Sequence, residues 1–314
     1  MRTADIYQRV TQQIIDAIEA GASAASYRMP WHNWGQSASC PTNASTGRNY
    51  RGINVVLLWA AAEAQGYSFG RWATYRQWTA TGAQVRKGAK ATPIIFWKTS
   101  TGAPTCVDDD EDTGTRPGRL IARTYFVFNG DQVEGAEPLP LCNLTETETV
   151  TAAAHFIGRT GAQIRHGGDR AYYAPSIDQI WLPQNAQFRD LESYYAVLAH
   201  ELVHWTGATH RLDRPLDGRF GDEAYAFEEL IAELGAAFLA AHLGLSREPR
   251  HDHAVYIASW LKVLKSDPKA ILTAASKAQQ AADYLLDLTT KAAQTWPHQL
   301  TEARTAAKAA AGHD

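Results

Sequence analysis

Two histidines four residues apart, His200 and His204, with Glu201 between them, constrain this chain more than any other feature. The preceding run Tyr194-Tyr195-Ala196-Val197-Leu198-Ala199 is apolar and predicts a helix over about 188 to 206. On a helix, side chains four apart stand one turn above the other on the same face, so both imidazoles can reach one cation. Glu201 is offset from His200 by about 100° and meets the same spot from the side, where a carboxylate can take a proton from water. Gly207, three residues after His204, is where this helix should end and the chain turn away. Such a helix needs one face anchored in a core and the other open, which requires a folded domain around it.

An open catalytic metal site takes three protein ligands. The downstream stretch Tyr225 to Gly235 supplies carboxylates at Glu228, Glu229 and Glu233 among Leu230, Ile231, Leu234 and Phe238. Glu229 and Glu233 share a face, and Glu228 points about 100° away from Glu229. Glu229 is assigned as third ligand, and Glu233 as acceptor for the second ring nitrogen of a ligand histidine. The pattern Glu-x-x-Ala-Glu resembles the Glu-x-x-Ala-Asp of several gluzincin peptidases, which favours Glu229 over Glu228. Glu233 as ligand is the main competitor. His210 is another, because Gly207 and His210 also match the metzincin spacing, although Met1 and Met29 are the only methionines and no Met-turn follows. His210 is otherwise expected at the rim of the site or supporting a ligand, and Tyr225 as a hydrogen-bond donor to a tetrahedral oxyanion or a packed ring. Zinc is the expected cation, with manganese the alternative, and Glu201 the expected general base of a peptidase.

The N-terminal half has a different chemistry. From residue 28 to residue 98, nine basic side chains against Glu63 alone leave a local charge of +8, although the whole chain carries −3. Six of the ten tryptophans fall in the same window. Cationic side chains neutralise phosphates and exposed rings stack on unpaired bases without reading sequence. The candidates for contact with single-stranded DNA are Trp31 and Trp34 in a loop, Tyr50 between Arg48 and Arg51, and the basic turn with Arg86, Lys87 and Lys90. Trp59 and Trp97 are assigned to the core. A merely solvated basic face is the plainer alternative.

At 314 residues, two domains are the expectation. The reading is α+β: an N-terminal DNA-binding domain over 1–138 with a polar, acidic loop at about 99–119, a domain with a small sheet and long helices over 143–290, and an alanine-rich, frayed tail over 291–314. Strands are expected around Pro93–Trp97 and Thr124–Phe128, then near 163–165, 171–173 and 177–182. Helices are expected over 4–20, 52–64, 145–157, 222–243, 252–266 and 269–288. Cys40, Cys106 and Cys142 lack metal or redox spacing, which fits a reducing cytoplasm. No apolar run is long enough for a membrane span, and the N-terminus lacks the pattern of a secretion signal.

Several motifs in this order are together identifiable. The run Asn43-Ala44-Ser45-Thr46-Gly47-Arg48-Asn49-Tyr50-Arg51-Gly52-Ile53-Asn54, with Gly82–Gly88 and Val127–Gln132, resembles the N-terminal signature of the ArdC antirestriction family, shared with TraC-type plasmid primases. Tyr173–Ile180 and His200–Arg211 resemble that family's zincin-like domain. The resemblance implies a protein of mobile elements that binds single-stranded DNA and protects incoming plasmid DNA from host restriction during conjugation. It also implies a zinc metallopeptidase domain whose substrate no motif here establishes, a restriction-related protein or the chain itself being the candidates. Three readings stay open. One is a two-domain DNA-binding peptidase, and one a non-enzymatic shielding protein whose zincin domain is structural or binds a partner. The third, an accessory primase-like module, lacks a polymerase acidic motif.

Overall fold

A computed structural model describes residues 3–23, 29, 31, 40–99, 120–136, 145–216, 218, 222–245 and 253–310. Trp34, Cys106, Cys142 and the acidic loop after residue 99 lie outside the described residues. Among the described residues no helix is long and apolar enough to cross a membrane.

Helix α1 (Thr3–Ser23) follows from its periodicity, since Ile6, Val10, Ile14, Ile15 and Ile18 are all buried along one stripe. Helix α2 (Ile53–Gln65) is buried without a break from Ile53 to Trp59 and ends where Gly66 takes the left-handed conformation. Strands β1 (Thr42–Asn43), β2 (Arg71–Ala73), β4 (Thr92–Thr99) and β5 (Leu120–Asn129) form a sheet in the order β1-β2-β5-β4. β4 and β5 pair antiparallel, Thr92 opposite Val127 through Thr99 opposite Leu120. The outer edge of β4 is closed by a side chain: Asn54 donates from Nδ2 to the Ile95 carbonyl and accepts from the Ile95 N–H, both at 2.8 Å. Helix α3 (Tyr75–Ala80) starts on a capping box, with Thr74 and Gln77 each satisfying the other's backbone N–H. It packs beside the small ribbon of β3 (Gln84–Val85) and β6 (Val133–Glu134).

The C-terminal part opens with α4 (Glu146–Thr160), capped by Thr145 and Glu148. β7 (Gln163–His166), β8 (Tyr172–Ala174) and β9 (Gln179–Leu182) form a sheet of order β7-β9-β8, which leaves β8 at an edge. Four helices follow: α5 (Leu191–Thr206), α6 (Glu223–Leu243), α7 (His253–Ser266) and α8 (Ala270–Ala310). α6 packs against both α5 and α8. The face of α8 that meets the core is small, with Ala274, Ala275, Ala278 and Ala281 fully buried, so the helix backbones approach closely. The helix continues well past residue 288 through the alanine-rich segment read as a frayed tail, in keeping with alanine's helix propensity.

One hydrophobic core runs through both halves. It includes Ile14, Trp31, Leu58 and Trp72 from the N-terminal half and Leu198, Leu230, Trp260 and Ala278 from the C-terminal half. Trp31 lies against Trp260, ring centroids 6.1 Å apart, and Trp59 against Phe238 at 5.9 Å. Trp31 and Tyr50 therefore do not offer free ring faces to a base: Trp31 has no exposed surface, and Tyr50 is buried with its hydroxyl donating to the Trp72 carbonyl at 3.2 Å. Arg51 is turned toward α8, where it pairs with Asp283, while the neighbouring Gly52 N–H donates to Gln279. Trp97, assigned to the core from sequence, is instead 40% exposed near the end of β4.

Candidate metal centre

α5 begins at Asp190, whose carboxylate accepts from the Ser193 N–H at 2.7 Å, and is anchored by Leu198, Leu202 and Val203, all essentially buried. That anchoring turns His200, Glu201 and His204 toward a cavity of about 670 Å³ between α5, α6 and the edge strand β8, with Tyr172, Tyr173, Tyr225 and Glu229 in its wall. Ligand-capable atoms of His200, His204 and Glu229 all lie within 4.8 Å of one another. The two Nε2 atoms are 3.1 Å apart, and Glu229 Oε2 and Oε1 stand 3.4 Å from His200 Nε2 and 3.5 Å from His204 Nε2.

The other ring nitrogens are backed by carboxylates. His200 Nδ1 is 3.0 Å from Glu233 Oε1, and His204 Nδ1 is 3.3 Å from Glu228 Oε1. Glu228 is the residue that sequence reasoning left without a role. It is fixed by Arg214, whose Nε and Nη2 reach its two oxygens at 3.0 and 2.8 Å. Arg214 also donates to the Val203 carbonyl and to Thr206 Oγ1, so it closes the C-terminal turn of α5 while orienting Glu228. A buried arginine has little sequence signal, because it lies in a loop eight residues beyond the helix. Gly207 accommodates it: a Cβ there would sit 3.0 Å from the Arg214 guanidinium and 3.0 Å from the His204 carbonyl. Gly207 caps α5 with right-handed backbone at φ −75, so its missing Cβ serves this close approach and not a left-handed turn.

The electrostatics of the group are dominated by buried carboxylates. Glu201, Glu228, Glu229 and Glu233 are each less than a tenth exposed. Burial pushes Glu229 up, but His204 and His200 beside it more than reverse this and hold its carboxyl well below the usual carboxylate range. Burial works against charge on His204, and Glu229 and Glu228 outweigh it, pushing the imidazole up to about 10. Buried negative charge of this density calls for a cation, because desolvated carboxylates are costly without one.

His210 stands apart from this group. Its side chain is 61% exposed and 3.5 Å from Asp178, so it takes no place beside His200 and His204, either as ligand or as support. Its neighbour Arg211 bridges to Asp178 in the turn before β9 and lies over the Trp205 ring at 3.7 Å, tying the loop after α5 to the small sheet. Tyr225, one turn before Glu229 on α6, lines the cavity with its hydroxyl 3.4 Å from that of Tyr256. Burial and the Glu229 carboxylate both keep that hydroxyl protonated. In the N-terminal half, Arg48, Arg86, Lys87 and Lys90 are exposed.

A helix presenting two histidines and a glutamate, with a second carboxylate from the next helix, defines a zincin-like metallopeptidase domain, and a family model of that description matches residues 151–277. The model for the N-terminal domain of anti-restriction factor ArdC matches residues 4–128. The chain is similar over most of its length to the crystal structure of the antirestriction ArdC protein from plasmid R388. The Mn(II)-bound form of that protein gives a TM-score of 0.71 at 39% identity, covering 90% of this chain and 98% of the other. The metal-free form gives 0.72 at 40%, covering 91% and 98%. This chain belongs to the ArdC antirestriction family. It is also 54% identical to the uncharacterized protein y4eC of Sinorhizobium fredii (strain NBRC 101917 / NGR234), over 90% of this chain and 91% of that protein. It is 38% identical to a DNA primase TraC of Escherichia coli, spanning only 20% of the primase's length.

Proposed function

We propose that this protein shields incoming plasmid DNA from restriction by binding it as a single strand through its N-terminal half, and that its C-terminal half is a metal-dependent peptidase. The observation that carries the second part is the convergence of His200, His204 and Glu229, each histidine backed by its own carboxylate, in a cavity that Glu201 also lines. Donors separated by 3.1 to 3.5 Å suit a single ion bound at about 2.0–2.2 Å from each. Two imidazoles and a carboxylate are a donor set for zinc, and manganese shares the carboxylate preference; the R388 relative was crystallised with Mn(II). When bound, the ion supplies Lewis acidity toward a carbonyl. Glu201 takes the proton of the attacking water on its carboxylate and returns it to the leaving amine. Tyr225, kept protonated, donates to the developing oxyanion. A protein related to host restriction is the substrate class that links the two halves.

The test compares wild type with Glu201→Ala for metal content and for hydrolysis of a mixed peptide library. Removing a general base lowers turnover by about 10²–10⁴ while leaving the three ligands in place. Equal hydrolysis by both proteins, or a wild type free of divalent metal after purification without chelators, would refute the peptidase reading. The shared core favours one further reading, in which the C-terminal half chiefly supports the DNA-binding half. Full protection of DNA by Glu201→Ala is what that reading expects.

A further inference from the structure

With Trp31 and Tyr50 buried, the rings that meet unpaired bases must be sought elsewhere on the N-terminal half. Strand alternation places Phe126 and Phe128 on one face of β5, opposite the face that carries Tyr125. Phe126 is 50% exposed. Phe128 is half-buried and meets the ring of Tyr75 edge-on, centroids 6.5 Å apart, and Tyr75 is itself 49% exposed at the start of α3. The Tyr75 hydroxyl is held by Gln84 Nε2 at 2.9 Å. Beside this row lies a second cavity, of about 600 Å³, walled by Tyr75, Phe128 and the turn Arg86-Lys87-Gly88. Arg86 is anchored through the Asp131 carbonyl at 2.8 Å and faces Glu134 on the same rim at 3.9 Å. Lys87 is exposed and makes no ion pair among the described residues, so the rim keeps a positive charge after Glu134 is counted.

We infer that single-stranded DNA lies along this groove, its bases stacking on Tyr75 and Phe126 and its phosphates following the Arg86–Lys87 turn. The chemistry is that of a sequence-tolerant strand site: ring faces for bases beside cations for the backbone. Phe128 sets the tilt of Tyr75. The inference rests on the proposed DNA binding and locates it. A second aromatic pair, Phe96 and Tyr125, lies on the opposite face of the hairpin with centroids 5.6 Å apart and serves as an internal control.

Binding of a labelled oligo-dT strand is measured by fluorescence anisotropy on the full chain across a salt series. Three variants are compared with wild type: Tyr75→Ala with Phe126→Ala, Phe96→Ala with Tyr125→Ala, and Lys87→Gln. All five side chains lie at the surface, the four rings between 38% and 52% exposed, and unchanged melting temperatures verify the fold. Loss of each stacking ring weakens binding about tenfold, so the first variant falls by about a hundredfold while the second stays near wild type. Lys87→Gln lowers the magnitude of the salt slope by about 0.7. Wild-type binding that the first variant retains within twofold, or that the second loses as severely, overturns this groove. No binding by wild type overturns instead the reading of the N-terminal half as a DNA-binding element.

Discussion

An arginine with 5% of its surface exposed persists only when its guanidinium finds acceptors, and each of the three nitrogens of Arg214 does so, with Glu228, Thr206 and Val203. Through Glu228 it fixes the ring of His204, so its effect should reach the metal group without touching it. Arg214→Ala leaves the buried Glu228 carboxylate with His204 as its one remaining charged partner among the described residues, and is expected to cost about 3–5 kcal/mol in urea unfolding. Metal affinity, measured by competition with a chromophoric chelator, should fall about 10- to 100-fold. Replacing both partners together, Arg214→Met with Glu228→Leu, should recover much of the stability but not the affinity; equal loss of both would contradict the orienting role. At this scale helix spacing put His200 with His204, and Glu229 with Glu233, on shared faces, since helix geometry converts spacing into direction, while the preference for Glu229 over Glu228 came from the resemblance to gluzincin peptidases. Arg214 and Glu228 were not legible, because their pairing depends on the path of the loop between α5 and α6.

α5 and α6 bring the ligands together only if their backbones come close, and Gly235 sits where they do. A Cβ at Gly235 would stand 2.8 Å from Val203 Cγ2 and 3.5 Å from the Ala278 carbonyl of α8. Val203 immediately precedes His204, so a displacement of α6 here is transmitted to the separation of His204 from Glu229. Gly235→Ala is expected to destabilise by about 1–3 kcal/mol through overpacking. It should also weaken metal binding, with Gly235→Ala/Val203→Ala restoring both by removing the obstructing methyls; thermal melts with and without added metal read the two effects. Most helices were legible from apolar periodicity, as at α1, where the spacing of Ile6, Val10, Ile14 and Ile18 marks the buried stripe. The edge-closing role of Asn54 was not, because an asparagine inside an apolar run carries no sign of the strand it completes. The exposure of Trp97 was missed for a related reason: alternation shows that a strand has two faces, not which parts of them another element covers.

Across the whole molecule, two family models divide the chain near its middle, yet the core does not divide with them. Trp31 packs on Trp260, Thr11 donates to the Pro268 carbonyl at 2.6 Å, and Lys265 pairs with Glu19 at 2.7 Å. The halves should therefore unfold together: calorimetry is expected to show one transition, coincident with loss of tryptophan fluorescence and of far-ultraviolet ellipticity. Two resolved transitions, or a fragment of residues 1–138 as stable as the whole chain, would show the shared core to be energetically minor. What the sequence by itself determined is local and periodic: the face shared by His200 and His204, the carboxylates of the second helix, and the excess of positive charge over residues 28–98. Which rings are exposed, which histidines approach a common point and which cations remain unpaired were decided only by the tertiary structure. Burial and pairing are relations between residues far apart in the chain, and Trp31, His210 and Arg51 each took their place from a partner that spacing cannot name.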